Sequence, residues 1–182
     1  MQSLTFIQDR INRGEFFENG VLQRTMEAAS GRTLHLLGLV SDGGVHSDLE
    51  HLLALIGMAE ERFDGPIRVH AFTDGRDTAP DGGLGYLQQV EERLASVPRA
   101  KVASVTGRYW AMDRDRRWER TRKAYELLVC GRAEHSAASS REAIENAYAR
   151  GETDEFIEPT LIRGEDGSPL GTIGEGDGVI FF

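Results

Sequence analysis

The sequence predicts an α/β domain of three layers, a mainly parallel sheet flanked by helices. Three observations point there. Between residues 34 and 129 a short apolar run is followed by an amphipathic helical stretch three times over, which is the pattern of βαβ units and parallel strands. The chain has 182 residues, 40% of them apolar, enough for one domain with a sizeable core. Its single cysteine, Cys130, rules out an internal disulfide and a Cys-rich zinc site, so the core has to hold without such staples.

Residues 1–30 read as a helical lead-in, two short helices punctuated by Gly14, Asn19 and Gly20, within a single domain spanning residues 1–182. Leu34–Val40 is a short apolar run and predicts a buried strand. Asp48–Arg62 follows as a helix with Leu49, Leu52, Leu53, Ile56 and Ala59 on one face. Ile67–Phe72 predicts the second strand, and Gly83–Ser96 a helix with Leu84, Leu87, Val90 and Leu94 inward. Lys101–Thr106 predicts the third strand. Asp113–Val129 predicts a third helix, with Trp118, Thr121, Tyr125 and Leu128 as its buried stripe. Ser139-Ser140-Arg141-Glu142 is a capping-box pattern before a helix ending near Arg150. Ile157–Ile162, broken by Pro159, and Val179–Phe182 predict two last strands, with a Gly-rich hairpin or loop between them. Ending on the apolar Ile180-Phe181-Phe182 leads to the expectation of a piece of a longer protein, because chain ends usually fray into solvent.

Charge is uneven. The formal net charge is −9, but residues 1–97 carry −7, residues 98–132 carry +6 and residues 133–182 carry −8. A basic segment inside an acidic protein is a poor platform for nucleic acid, because the field of the whole molecule repels a polyanion. It suits either a small anion in a local pocket or a solvated helix face with i,i+4 pairs. No run of about 18 apolar residues exists, so no membrane span is expected. The start, Met1-Gln2-Ser3-Leu4, lacks the basic-then-apolar pattern of a signal peptide. One free cysteine fits a reducing, cytoplasmic setting.

Each of the three strands runs into a polar loop: Ser41-Asp42-Gly43-Gly44-Val45-His46-Ser47, then Thr73-Asp74-Gly75-Arg76-Asp77-Thr78, then Gly107-Arg108-Tyr109-Trp110-Ala111-Met112-Asp113-Arg114-Asp115. In an open parallel sheet ligands bind at the carboxyl ends of strands, so these three sets should converge. Asp42-Gly43-Gly44 fits a tight turn with positive φ. Ser47 with Glu50 fits a capping box. His46, just before a helix, can face a ligand or simply lie on the surface. Ser41 lacks a G-x-S-x-G context and an assignable base, so it is not taken as a nucleophile. Arg76 and Asp77 either pair with each other or serve a ligand together, the guanidinium gripping an anion and the carboxylate accepting from hydroxyls. Asp74 fits a turn cap. Arg114 falls four residues before Trp118, on the expected buried stripe, where a first-turn cation opposes the helix dipole unless an anion binds there. Arg108, at the end of the preceding strand, could supply a second fork. Arg116, Arg117, Arg120 and Arg122 read as ordinary surface charge. Asp42, Asp74, Asp77, Asp113 and Asp115 could instead build a Mg²⁺ site, against which stand the neighbouring cations. His46 and His51 miss the i,i+4 spacing of a helical zinc pair, and no P-loop or G-x-G-x-x-G occurs.

These three loops, in order and spacing, closely resemble cofactor-independent (2,3-bisphosphoglycerate-independent) phosphoglycerate mutases. Gln2-Ser3-Leu4-Thr5 and Glu158-Pro159-Thr160 resemble flanking segments of the same family, so the likeness covers almost the whole chain. The resemblance implies a parent of two α/β domains that interconverts 3- and 2-phosphoglycerate through a phosphoserine. One domain is phosphatase-like and carries the serine and two metal ions, usually Mn²⁺. The other, inserted into it, orients the glycerate, and this chain resembles that inserted domain alone. The resemblance further implies that His46, Arg76, Asp77, Arg108 and Arg114 hold the substrate, with Asp77 near the glycerate hydroxyls as a proton carrier. The serine and metal-ligand motifs are not found here, nor is the Arg-rich segment that in the family follows the strand ending at Phe182. Asp48 stands where many members have His.

Three readings follow. The first is the substrate-orienting domain of such a mutase, inactive alone, with 2-/3-phosphoglycerate and the phosphatase-like domain as partners and no metal of its own. The second is a non-catalytic binding module for sugar phosphates or organic acids. The third is a Mg²⁺-dependent phosphohydrolase built on the aspartates.

Overall fold

A computed structural model describes residues 3–182. The lead-in is helical, with α1 (Ser3–Asn12), a 3₁₀ turn (Glu15–Glu18) and α2 (Gly20–Ala28). The Asn19 side chain accepts from the N–H groups of Val21 and Leu22 and so caps α2. Met1 and Gln2, part of the expected lead-in and of the family-like start, lie outside the described residues.

The predicted alternation follows: β1 (Leu34–Leu39), α3 (Leu49–Arg62), β2 (Ile67–Thr73), α4 (Gly83–Leu94) and β3 (Ala100–Gly107). Then come α5 (Arg108–Ala111), α6 (Trp118–Cys130), β4 (His135–Ala137), α7 (Ser140–Ala149), a 3₁₀ turn (Asp154–Phe156), β5 (Thr160–Ile162) and β6 (Gly178–Phe181). The six strands form one sheet in the order β4-β5-β3-β2-β1-β6. β1 pairs parallel with β2 and β6, β2 with β3, and β4 with β5; only β5 runs antiparallel to β3. The carboxyl ends of β1, β2 and β3 therefore open on one edge.

Both faces of the sheet are covered, which is why β1 reads as an apolar run on both faces, interrupted by His35. Leu34 and Leu36 face one core, shared with Leu52 and Ile56 of α3, Leu87 and Val90 of α4, and Ile144 of α7. Leu37 and Leu39 face the other side with Phe72, Ala111, Met112 and Leu128. On that second face a buried polar chain crosses three strands. Asp177 meets His35 at 3.2 Å, His35 meets His70 at 2.8 Å, and His70 meets Ser104 at 2.8 Å. The register shift between Val69 and His70 sets His70 opposite Ser104.

The structure corrects four sequence expectations. α6 begins at Trp118, not Asp113, and residues 113–117 form a turn in which Arg116 takes φ 60°. Its inward residues are Ala124 and Leu127, with Leu128 on the second core, while Trp118 is 70% exposed and Tyr125 58% exposed. The helix turns its Ala124 and Leu127 face to the sheet instead of its aromatic face, and Arg114, which precedes the helix, lies on an exposed turn rather than on a buried helix face. The cap of α3 is Asp48, whose carboxylate accepts from the Glu50 N–H, and Ser47 is buried without a side-chain partner. The last two strands form no hairpin. β5 sits beside β3 and β6 beside β1, because the connection crosses the sheet. Pro159, lacking an N–H, confines β5 to Thr160–Ile162. The Ser139 cap holds as expected, accepting from the Glu142 N–H at 3.1 Å.

Candidate functional site

The three loops do meet. His46, Arg76, Arg108 and Arg114 line one cleft of about 100 Å³, together with Tyr109, Asp113, Arg120 and Glu155. Asp77 stands behind this wall. It is bonded to Arg108 and lies 4.0 Å from His46 Nε2.

Arg108 is the first residue after β3 and is only 8% exposed. Its Nη1 donates to Asp74 Oδ1 and to Asp77 Oδ2, both at 2.6 Å. Burial opposes its charge, and the Asp77 and Asp74 carboxylates outweigh burial, so the guanidinium is held charged more firmly than usual. Asp74 organises the second loop. It accepts from the N–H groups of Arg76 at 3.1 Å and Asp77 at 3.0 Å, and from the Ser41 hydroxyl at 2.6 Å. Burial by itself would raise its carboxyl; the Asp77 N–H, the Ser41 hydroxyl, Arg108 and the Arg76 N–H together hold it below its ordinary value. Ser41 is thereby committed to Asp74.

Arg76 and Asp77 do not pair with each other. Arg76 Nη1 lies 3.8 Å from Glu155 Oε1, and its side chain makes no hydrogen bond among the described residues. Arg114 is exposed and has no side-chain partner among the described residues. Asp77 Oδ1 likewise accepts no hydrogen bond there. The cleft thus offers two guanidinium groups with donors to spare and one carboxylate oxygen with acceptor capacity. Free guanidinium donors suit an anion, and a free carboxylate oxygen suits a hydroxyl donor.

Glycine sets the wall opposite. The 154–156 turn crosses the ends of β2 and β3 so closely that a Cβ on Gly75, whose φ is 64°, would meet Glu155 N at 2.6 Å. A Cβ on Gly107 would run into Glu155 O. Behind the turn, Asp154 accepts from Gly83 N–H at 2.7 Å and from the Tyr148 hydroxyl at 2.6 Å. Burial is the largest effect on Asp154 and raises its carboxyl despite these bonds.

Tyr109 and Asp113 belong to the third loop expected at the cleft but were not singled out there, and Arg120 and Glu155 were missed. Glu155 carried no local signal, since only the close glycines bring its turn to the strand ends. Arg120, grouped in the sequence with ordinary surface charge, instead lays its guanidinium over the Tyr109 ring, 3.7 Å from the centroid.

Four of the five candidate aspartates are already engaged; Asp115, exposed at the cleft, is the fifth. Asp42 takes the Tyr86 hydroxyl, Asp74 and Asp77 take Arg108, and Asp113 takes Arg120. Among the described residues the one group with metal-like spacing is Glu134, His135 and Glu158, which shares no residue with the cleft and has Lys123 Nζ within 3.4 Å and 3.6 Å of its carboxylates.

The chain is thus an α/β domain whose mainly parallel sheet carries an arginine- and imidazole-lined cleft at its strand ends. Comparison with known proteins gives the family. The profile described as "BPG-independent PGAM N-terminus" matches residues 7–182, and the chain belongs to that family. It is 52% identical over 183 residues to a 2,3-bisphosphoglycerate-independent phosphoglycerate mutase of Thermomicrobium roseum, covering 100% of this chain and 35% of that protein. It is 50% identical to the protein of the same name from Hydrogenovibrio crunogenus, covering 99% of this chain and 34% of that one. A crystal structure of Leishmania mexicana phosphoglycerate mutase, solved at low cobalt concentration, superposes with a TM-score of 0.89 at 35% identity, over 96% of this chain and 34% of that one. The chain therefore spans about a third of the length of these relatives.

Proposed function

We propose that residues 1–182 form the substrate-orienting domain of a 2,3-bisphosphoglycerate-independent phosphoglycerate mutase, an isomerase of glycolysis acting in the cytoplasm. The observation that carries this is the meeting of His46, Arg76, Arg108 and Arg114 in one cleft, with Asp77 behind them. The glycerate sits in that cleft. Arg76 and Arg114 grip its carboxylate or phosphate, since their donors are free, and Arg108 holds Asp77 in place. Asp77 Oδ1 accepts from a glycerate hydroxyl and carries its proton.

The phosphoryl chemistry belongs to the part of the longer relatives that this chain does not span. There a serine takes the phosphoryl group, and divalent metal, two Mn²⁺ in this reading, supplies charge stabilisation. In this reading the metal belongs to that other part, and the role of this chain is retention. A glycerate released before it reorients would turn the mutase into a phosphatase. Holding it in place converts the return transfer into an intramolecular step.

The test is an amide NMR titration of this chain with 3-phosphoglycerate at fixed salt, beside Arg76→Ala. Shifts clustered at residues 41–47, 74–78 and 107–115, lost in the variant, are expected. Each hydrogen bond to a charged group nets about 1.5–3 kcal/mol against an association cost of about 4–15 kcal/mol, so the expected Kd is about 1 mM or weaker. Mutase turnover by the chain alone would overturn the reading, as would shifts scattered away from the three loops.

A further inference from the structure

We infer that Arg120 is a positioning residue of the cleft: through Asp113 and Tyr109 it fixes the 113–117 turn that presents Arg114. The inference rests on the proposed reading of the cleft as the glycerate site.

Arg120 is the third residue of α6, where a cation opposes the helix dipole. Its placement is accounted for by what it touches. The guanidinium lies over the Tyr109 ring at 3.7 Å, and Nη1 stands 3.3 Å from Asp113 Oδ1. The Asp113 side chain is only 2% exposed. Its other oxygen accepts from the Arg117 N–H at 2.8 Å. One buried carboxylate therefore ties the start of the turn to its end and to the helix beyond.

The turn needs that tie. Arg116 sits at φ 60°, a left-handed conformation that disfavours a side chain as long as arginine. Arg114 has no side-chain partner among the described residues, so its place at the cleft depends on the backbone beneath it. Tyr109 is fixed in turn by its edge contacts, 5.0 Å to the Trp110 ring and 5.2 Å to the Phe156 ring. Trp110 Nε1 donates to the Phe156 carbonyl at 3.2 Å. The stack thus joins the end of β3, the 154–156 turn and α6 into one wall. Without Arg120, the Asp113 carboxylate is left buried with no cation, and the turn has lost one of its two anchors.

The experiment compares the 182-residue chain with Arg120→Ala, Arg120→Lys, Arg114→Ala and the Arg114→Ala/Arg120→Ala double variant. Two quantities are read: the amide positions of residues 113–117 without ligand, and the affinity for 3-phosphoglycerate. Arg120→Ala is expected to move those amides and weaken binding about ten-fold. In the Arg114→Ala background the same change should cost less than about two-fold, since its effect passes through Arg114. Arg120→Lys restores a cation to Asp113 and should return the amides most of the way. Unmoved amides in Arg120→Ala overturn the inference. So do additive losses in the double variant, which would mean that Arg120 contacts the anion itself. If the unsubstituted chain shows no saturable shifts, the reading of the cleft falls and the inference with it, whatever the amides do. If Arg76→Ala abolishes binding while Arg120→Ala leaves it unchanged, the inference alone falls.

Discussion

Asp74 shows how one side chain can hold a site. Its two oxygens take a hydroxyl from the first loop, two backbone N–H groups from its own loop and the guanidinium from the third. Its role as a turn cap was legible in the sequence, because Asp before Gly is a turn signal. Its bond to Arg108 was not, since 34 residues separate the two. Of the two readings open for the adjacent Arg76-Asp77, pairing with each other is not what forms: Asp77 takes Arg108, and the Arg76 side chain keeps its donors free of hydrogen bonds among the described residues. Asp74→Asn should cost about 2–3 kcal/mol at neutral pH, below the full loss of a buried pair because Asp77 still holds Arg108. The carboxyl of Asp74 is depressed in the fold, so its contribution is complete above the ordinary value of 3.8 and is lost as pH falls through the depressed one. Urea unfolding of parent and variant should therefore converge as pH drops below 3.8. A gap that stays constant into acid would show that the charge of Asp74 is irrelevant.

At the level of elements, the strands were legible and the third helix was not. β1, β2 and β3 are apolar runs buried on both faces, a signal that survives without neighbours. α6 carries Trp and Tyr at helical spacing, yet the sheet takes the small Ala124 and Leu127 instead. Trp118→Ala should change stability by no more than about 0.5 kcal/mol, and Leu127→Ala should cost about 2–5 kcal/mol. Thermal melts that rank the two the other way would restore the aromatic stripe. The polar chain across β1, β2 and β3 had no sequence signal either, because a histidine inside a strand looks like an exposed one. With Asp177 charged, His35 donates to it through Nε2 and accepts at Nδ1 from His70 Nε2, and His70 Nδ1 accepts from the Ser104 hydroxyl. Both imidazoles are then neutral. Burial, then His35 and Arg68, push His70 from 6.5 down to about 3. Its neutral form is favoured only in the fold, so its contribution is complete above 6.5 and is lost as pH falls towards 3. His35 is depressed in the same direction, chiefly by burial, with Asp177 opposing. Stability should fall by up to about 1.4 kcal/mol per pH unit for His70 within this range, between 6.5 and about 3. His70→Gln should be less stable at neutral pH but flatter between about pH 6 and about pH 4. An unchanged slope would remove His70 from the acid response.

For the whole molecule, topology decides what composition could not. Parallel strands bring loops separated by more than thirty residues to one edge, which is why the cleft was legible as a convergence before any contact was known. The antiparallel β5 and the crossing to β6 were not, because a three- or four-residue strand carries too little pattern to reveal its neighbour. The same topology resolves the charge puzzle. Flanking segments of −7 and −8 enclose a segment of +6, and the fold places part of that segment in a cleft rather than spreading it over a face. Arg108 spends its charge on Asp74 and Asp77, and Arg120 on Asp113, so the field left for a ligand is local and carried by Arg76 and Arg114. Long-range repulsion from the acidic surface and short-range attraction in the cleft then respond differently to salt. At about 0.1 M ionic strength the screening length is about 10 Å, which damps the repulsion more than contacts at hydrogen-bonding distance. The affinity for 3-phosphoglycerate should therefore weaken by less than about three-fold between about 0.05 M and about 0.2 M salt, where a protein neutralising six to ten nucleic-acid phosphates loses about 10³-fold or more. Titration at the two salt concentrations, with a short single-stranded oligonucleotide beside the small acid, checks both halves. Tight, steeply salt-dependent capture of the oligonucleotide would mean that the 98–132 segment works as an open basic surface and not as the wall of a small-anion cleft.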